Sequence, residues 1–211
     1  SYTGNATAGA TIGHGLGVTP KMVIVKNRTN AQNWFIYHQG IGATKVIYLD
    51  LTNAPQTLTQ AWNDTAPTSS VVSLGTEAGT NQSGANMLAY CFAEKQGYSK
   101  FGSYTGNGNA DGPMVYTGFK PAYLLIRRTD TTNNWHIHDN KRDPINQVEK
   151  YLLADTNGAE SSDTNKGIDF LSNGFKLRTT HGSHNTSGGT YIFMAFGQSL
   201  VGTNNIPATA R

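Results

Sequence analysis

The pentapeptide Ser-Tyr-Thr-Gly-Asn stands at residues 1–5 and again at residues 103–107, which shows that the chain contains an internal repeat. Self-similarity at a fixed spacing predicts structural units of the same fold. Three further pairs of similar segments follow in the same order: 17–26 and 118–127, 33–38 and 134–139, and 83–92 and 187–196.

The composition predicts an all-β fold. Thr, Gly, Asn and Ser make up 83 of the 211 residues, whereas charged residues make up only 14%. Thr with Val, Ile, Tyr and Phe suits strands and Gly with Asn suits turns, while helix surfaces use Glu, Lys, Gln and Arg. We therefore predict two tandem duplicated antiparallel β-sandwich units, jelly-roll or lectin-like, at residues 1–100 and 101–200, with a C-terminal tail at residues 201–211.

The pattern predicts eight strands, four in each copy. Tyr48, in the third strand of the first copy, is aligned with Tyr151 in the equivalent strand of the second copy. A hairpin is also predicted, because Asn173-Gly174 separates two strand-like runs and is the dipeptide typical of a type I′ turn. The predicted strands are 22–26, 34–38, 46–51 and 87–93, with counterparts at 123–127, 135–139, 151–154 and 191–196.

Charge and hydropathy exclude several classes of protein. The net charge of +3 is spread without a run of like charges, so we expect no nucleic-acid binding. No apolar stretch is long enough for a membrane span, and residues 1–5 lack the features of a signal peptide. Cys91 is the only cysteine and lies in an apolar run, which predicts a buried, inert thiol and no intramolecular disulfide.

Metal sites were considered for the histidines and for one acidic loop. His136 and His138 lie two apart on a predicted strand and share a face, and His181 with His184 could complete a metal site. The first copy has no matching pair, so we expect solvent-exposed or hydrogen-bonded histidines instead. The loop at residues 155–163 offers oxygen ligands but lacks the glycine position of an EF-hand, so we predict neither metal nor cofactor.

No catalytic motif is present in the sequence. There is no Gly-x-Ser-x-Gly elbow, no Gly-rich loop ending in Gly-Lys-Ser/Thr, and no carboxylate pair that the pattern singles out. The chain is therefore predicted not to be an enzyme, with a polysaccharide depolymerase as the less favoured alternative.

The joined segments SKFGSYTGNG at 99–108, TGFKP at 117–121 and TYIFMAF at 190–196 resemble a domain of tail-fibre and other virion structural proteins of tailed, often marine, bacteriophages. The resemblance covers almost the whole chain and carries no catalytic residues. It implies a β-rich protein on the virion surface, assembled in the bacterial cytoplasm. It also implies a homo-oligomer, with a trimer favoured, in contact with other virion proteins.

Carbohydrate binding is the activity that we expect of such a surface. Sugar sites combine an aromatic plane with Asn, Asp and Arg side chains that hydrogen-bond hydroxyls. Trp34 and Trp135 begin equivalent strands and are read as core anchors. Trp62 has no counterpart in the second copy, although it could also cover one end of the sandwich. The candidate ligand-binding residues are Trp62, Asn63, Asp64, Arg142, His181 and His184.

Two functions stay open at this point. One is a receptor-binding module that holds a host-cell polysaccharide and gains avidity from several copies. The other is a purely architectural virion protein, such as a fibre shaft, collar or capsid decoration, whose exposed aromatic residues contact only other virion chains.

Overall fold

Short antiparallel strands form both halves of the chain, and the helices are no longer than four residues each. The computed structural model describes residues 1–198, so the predicted tail at 201–211 lies outside the described residues. The chain divides into a first unit, Ser1–Ala93, and a second unit that begins at Glu94. No helix among the described residues has the length and hydropathy needed to cross a membrane.

The first unit contains a six-stranded sheet in the order β1-β8-β3-β4-β5-β6 and a two-stranded sheet, β2-β7. All the pairings are antiparallel. The strands are β1 (Tyr2–Thr3), β2 (Ala10–Gly13), β3 (Met22–Asn27), β4 (Phe35–His38), β5 (Lys45–Tyr48), β6 (Gln56–Thr57), β7 (Val71–Leu74) and β8 (Asn86–Phe92), and the helices are α1 (Thr59–Trp62) and α2 (Ala78–Asn81).

The second unit contains a six-stranded sheet in the order β14-β13-β12-β11-β17-β9 and a three-stranded sheet, β10-β16-β15. A 3-10 helix spans Thr164–Lys166 and α3 spans Gly182–Asn185. The strands are β9 (Ser99–Thr105), β10 (Met114–Tyr116), β11 (Pro121–Arg128), β12 (Trp135–Asp139), β13 (Lys150–Leu153), β14 (Ser161–Ser162), β15 (Ile168–Leu171), β16 (Gly174–Leu177) and β17 (Thr190–Gly197).

The large sheets of the two units have equivalent strand orders: in each, the first strand of the unit is followed by its last strand and then by its third to sixth strands. In each unit the large sheet packs on the small sheet through an apolar core, so the all-β sandwich and all eight predicted strands are confirmed. An origin of the two units by duplication stays a prediction.

The boundary between the units lies earlier than the sequence pattern placed it. Residues 94–98 belong with the second unit, because Lys95 bridges to Ser99 and the Gly197 N–H donates to the Tyr98 carbonyl at 2.6 Å. These contacts fold the connecting segment back onto the edge strand β9.

Two local predictions are corrected by strand register. Gly174 pairs with Leu171, so Ser172 and Asn173 form the hairpin loop, and neither has the positive φ of a type I′ turn. Glycine is required at position 174 for a different reason. A Cβ on Gly174 would lie 2.1 Å from the carbonyl oxygen of Val115 on β10.

The alignment of Tyr48 with Tyr151 is also wrong. Tyr48 pairs with Phe35 on β4, and the equivalent position on β12 pairs with Leu153. The second unit has a longer loop between β12 and β13 than the first unit has between β4 and β5. The polar sequence of that loop does not indicate which residues of β13 pair with β12.

The asparagine of the repeated pentapeptide contacts a buried asparagine, and we call this contact the asparagine clamp. In the first unit, Asn81 at the end of α2 donates from Nδ2 to Asn5 Oδ1 at 3.1 Å, and the Asn5 N–H donates to Asn81 Oδ1 at 2.9 Å. The same amide nitrogen donates to the carbonyls of Gly75 at 2.7 Å and Thr7 at 3.2 Å. One buried side chain therefore joins the chain after β1, the chain after β7, and α2.

The clamp has the same form in the second unit. Asn185 at the end of α3 donates to Asn107 Oδ1 at 3.0 Å and accepts from the Asn107 N–H at 2.8 Å. Its amide also donates to the carbonyls of Asn109 at 2.7 Å and Thr179 at 2.8 Å. The repeated sequence thus encodes a repeated hydrogen-bond network.

The glycine of the pentapeptide lets the two backbones of each clamp approach closely. A Cβ on Gly4 would lie 2.1 Å from the Gln82 carbonyl oxygen, and a Cβ on Gly106 would lie 2.2 Å from the Thr186 carbonyl oxygen. Contacts this short do not occur for real side chains, so only glycine fits at either position.

The tyrosine of the pentapeptide reaches the same short helices. Tyr2 Oη donates to the Thr80 carbonyl at 2.5 Å, and Tyr104 Oη donates to the His184 carbonyl at 2.9 Å. Burial raises the pKa of Tyr104 well above its ordinary value, so its hydroxyl remains a donor.

Tryptophans begin equivalent strands of the two units. Trp135 is fully buried, with the guanidinium carbon of Arg127 at 5.4 Å from its ring centroid, and is the core anchor that the sequence predicts. Trp34 is half-buried, with Lys26 Nζ at 5.9 Å.

Trp62 is not a surface aromatic residue. It is 1% exposed, belongs to the first-unit core and packs edge-on against Tyr37 with 6.1 Å between ring centroids. The prediction that it binds a ligand is wrong for this conformation, because its ring does not reach solvent.

We expect Asn185→Ala to lower the free energy of unfolding of the second unit by about 3 kcal/mol, because one buried and two partly buried oxygens lose their donor. Asn81→Ala should do the same in the first unit. Amide hydrogen exchange resolves the loss for each unit, and the exposed Asn30→Ala serves as the control. Equal exchange rates in the variants and the control would contradict the clamp.

Trp62→Ala should destabilise the first unit by about 3–5 kcal/mol, as expected for loss of a buried aromatic side chain. Trp62→Phe, which keeps a ring in the core, should lose about half of that or less. Chemical denaturation followed by resolved first-unit amide signals measures both, with the exposed Gln60→Ala as the control. Loss of less than 1 kcal/mol in Trp62→Ala would show that the indole is not a core side chain.

Candidate functional site

Three residues of the first unit are predicted to bind a ligand: Trp62, Asn63 and Asp64. Trp62 is the last residue of α1, and Asn63 and Asp64 follow the helix. Asn63 and Asp64 follow the buried Trp62 in the left-handed backbone region, with φ of 53° and 48°. They line a shallow groove of about 270 Å³ together with Gln60 and Thr76. The groove is polar and has no aromatic side chain among its lining residues, so it lacks the stacking surface that the prediction required.

Arg142 is held by other groups of the protein. Its Nε lies 2.5 Å from Asp139 Oδ2, its Nη2 donates to the Ile137 carbonyl at 3.1 Å, and its Nη1 lies 3.5 Å from Glu160 Oε2. The guanidinium therefore connects β12 to the loop before β14, and binding of a ligand by Arg142 stays a prediction.

His181 and His184 are joined through Ser183. His181 is exposed and caps α3, since its Nδ1 accepts from the Ser183 N–H at 3.2 Å. Ser183 Oγ lies 2.6 Å from His181 Nδ1 and 3.2 Å from His184 Nδ1. His184 is completely buried, so of these two predicted residues only His181 can meet a ligand from solvent.

Three histidines of the second unit form one buried group, which we call the histidine cluster: His136, His138 and His184. They are 3%, 0% and 0% exposed, respectively. His138 Nε2 lies 3.0 Å from His184 Nε2, and the ring centroids of His136 and His184 are 4.7 Å apart. The shared face of His136 and His138 follows from the strand period, whereas their burial does not.

The acidic loop considered for calcium uses its carboxylates within the protein. Asp155 accepts from the Trp135 N–H at 2.8 Å, Glu160 lies beside Arg142, and Asp163 caps the 3-10 helix through the Asn165 N–H at 2.9 Å. Among residues 1–198, no group of three or more His, Cys, Asp or Glu side chains is arranged to hold a metal ion.

A second groove, of about 270 Å³, lies beside the short strand β10, and we call it the Tyr116 groove. Tyr116 is 66% exposed, and a Cβ on Gly118 would lie 3.6 Å from the Tyr116 hydroxyl oxygen. The hydroxyl end of its exposed ring therefore lies beside Gly118, next to the polar groups that line the groove. The groove is lined by Glu94, Gln96, Gly97, Ser99, Lys100, Tyr116, Thr117 and Gly118.

The charged side chains of the Tyr116 groove neutralise each other. Lys100 Nζ lies 3.2 Å from Glu94 Oε1, and the same carboxylate accepts from the Phe101 N–H at 3.2 Å. The backbone hydrogen bond holds Glu94 in place, so the groove offers fixed donors and acceptors without a net charge.

Sequence reasoning missed Tyr116 because no strand was predicted between residues 106 and 118. The signal was the alternation Met114-Val115-Tyr116, which places Val115 against the core and its two neighbours outward. In the first unit, Gly13 pairs with Val71 where Tyr116 pairs with Gly174, so only the second unit has this aromatic residue.

Comparisons with known proteins give a family and no function. No curated protein and no solved structure matches the chain. One family model matches residues 1–199, and it is described as a domain of unknown function. Because the match covers nearly the whole chain, the protein belongs to the DUF7483 family.

Proposed function

We propose that this chain is a virion module of a tailed bacteriophage that binds a host-surface polysaccharide through the Tyr116 groove. Two arguments support the proposal: the resemblance of segments 99–108, 117–121 and 190–196 to tail-fibre and virion domains, and an exposed tyrosine that lines a polar groove. The exposure of Tyr116 is the observation that carries it. A homo-oligomer, with a trimer favoured, would multiply weak sites into useful avidity.

The chemistry of the groove fits an uncharged sugar. An aromatic ring packs against the apolar face of a pyranose, and amide, hydroxyl and charged groups bond its hydroxyls. Gln96 supplies an exposed amide in the groove, and Glu94 with Lys100 adds an acceptor and a donor. The mutual neutralisation of that pair favours a neutral hexose over a phosphate or sulfate.

We propose that the groove binds the polysaccharide without hydrolysing it. Canonical glycosidases need two carboxyl groups that flank the scissile bond. Glu94 is the one carboxylate among the lining residues, and it is already engaged with Lys100 and the Phe101 N–H.

An architectural virion role is the second candidate. β10 is a three-residue edge strand, and both Met114 and Tyr116 point outward from it. Exposed apolar side chains on an edge strand are also suited to contact with another virion chain.

Tyr116→Ala should weaken binding to host polysaccharide about tenfold, because loss of aromatic stacking removes roughly 1.4 kcal/mol. Saturation binding of the fluorescently labelled full chain to intact candidate host cells, and to their purified surface polysaccharide, measures the change. Lys100→Ala should give a smaller loss.

The matched control is Tyr90→Ala, which removes an exposed tyrosine from β8 of the first unit and should leave binding unchanged. Equal binding by wild type and Tyr116→Ala would remove the groove from the proposal. If no candidate surface binds even an oligomeric form, the architectural role becomes the better account.

A further inference from the structure

The histidine cluster has an unusual hydrogen-bond requirement. The 3.0 Å contact between His138 Nε2 and His184 Nε2 needs one ring to donate and the other to accept. Two imidazolium rings would both be donors and would repel each other at this distance. The contact therefore holds only while at least one ring of the pair is neutral.

The environment of the cluster offers little to stabilise positive charge. Lys166 Nζ lies 4.3 Å from the Tyr151 ring centroid, and that ring is 5.3 Å from His136 and 6.1 Å from His138. The titratable and charged groups around the cluster are Tyr104 on β9, Arg127 on β11, Arg142 after β12, Tyr151 on β13, Asp155 after β13, Asp163 and Lys166 at the 3-10 helix, and His181 at α3.

The two carboxylates in this environment are directed at other groups. Asp163 Oδ2 lies 3.2 Å from Lys166 Nζ, and Asp155 accepts from the Asn134 side chain at 2.7 Å and the Trp135 N–H. The remaining charged neighbours are cations, so protonated histidines would add to an already positive region.

The first unit has no histidine at the three positions equivalent to the cluster, although His38 is buried at the end of β4. Phe35 and Tyr37 occupy the β4 positions that His136 and His138 occupy on β12, as the strand registers show. The third residue of α2 is Thr80, where α3 has His184. The two units thus share a frame but differ at the side chains that could take up protons.

His184 links the cluster to the asparagine clamp. It lies on α3 beside Asn185, whose amide holds Asn107 and Asn109, and its own carbonyl accepts from Tyr104. Any force that moves α3 away from β12 therefore strains the contacts that fix the chain after β9.

We propose that the histidine cluster is an acid-sensitive latch: protonation drives α3 away from β12 and opens the second unit, while the first unit stays folded. The inference rests on the buried imidazoles and their cationic surroundings, and it is independent of the proposed sugar binding.

The direction of the pH dependence follows from proton linkage. Burial lowers the pKa of His136 and His138 to about 3, with further lowering by Lys166 and by the other histidines, and burial also lowers the pKa of His184 well below 6.5. The unfolded chain has the ordinary pKa near 6.5, so between pH 6.5 and about 3 it binds more protons than the folded unit. Stability of the second unit must fall as pH falls through this window.

The test is an acid titration of the full chain followed by backbone amide NMR signals of both units. We expect second-unit signals to disappear at least one pH unit above first-unit signals, with uptake of at least two protons. The variant with His136→Phe, His138→Tyr and His184→Thr copies the first unit and should shift the second-unit midpoint at least one pH unit lower.

His14→Ala, which removes a half-buried first-unit histidine outside the cluster, is the control and should leave the second-unit midpoint unchanged. An unchanged second-unit midpoint in the triple variant would overturn the proposal. If that variant does not fold, side-chain NMR of the wild type decides. Rings of the cluster that stay neutral until the unit opens support the latch, and a cluster ring that titrates near pH 6.5 in the folded protein refutes it.

Discussion

The asparagine clamp is the contact on which each unit depends. A single buried amide joins three separated segments in each unit, and its partner lies in the repeated pentapeptide. The neighbouring glycine permits the approach, because any Cβ there would meet a carbonyl oxygen near 2 Å. A buried amide has several groups to satisfy, so its partners and their geometry are fixed together. This explains why Tyr, Gly and Asn recur as one motif while the strands between them vary.

The two units share a backbone frame but differ in the side chains that it buries. In the first unit Trp62 packs on Tyr37 within an apolar core, whereas the corresponding region of the second unit holds three imidazoles and Lys166 beside Tyr151. Strand register tolerates this exchange because Phe35 and Tyr37 are buried, as His136 and His138 are, so the same face of the strand is buried in both units. The second unit also has the exposed Tyr116, where the first has Gly13. Chemistry that could respond to ligand or protons is therefore concentrated in the second unit.

Prediction from the sequence succeeded for the strands and failed for the solvent exposure of individual side chains. Alternating apolar residues and turn residues are local signals, so all eight strands could be found. Whether Trp62 faces solvent depends on how a four-residue helix docks against Tyr37, and a polar sequence neighbourhood suggested the wrong answer. The ion pair of Arg142 could not be predicted for a similar reason, since the Glu160 carboxylate that meets it lies in a later loop. Tyr116 was missed because three strand residues among turns give a weak pattern.

The sequence by itself determined that the chain is nearly all β, that two similar segments follow each other, and that His136 and His138 share a face of one strand. These conclusions need only composition, repetition and the period of two along a strand. Only the tertiary structure decided that His184 closes on that pair, that Asn81 and Asn185 are the centres of the clamps, and that Tyr116 stands in a groove. Burial and partners are set by segments some 80 residues apart, as for Tyr104 and His184, and no local pattern encodes such a contact.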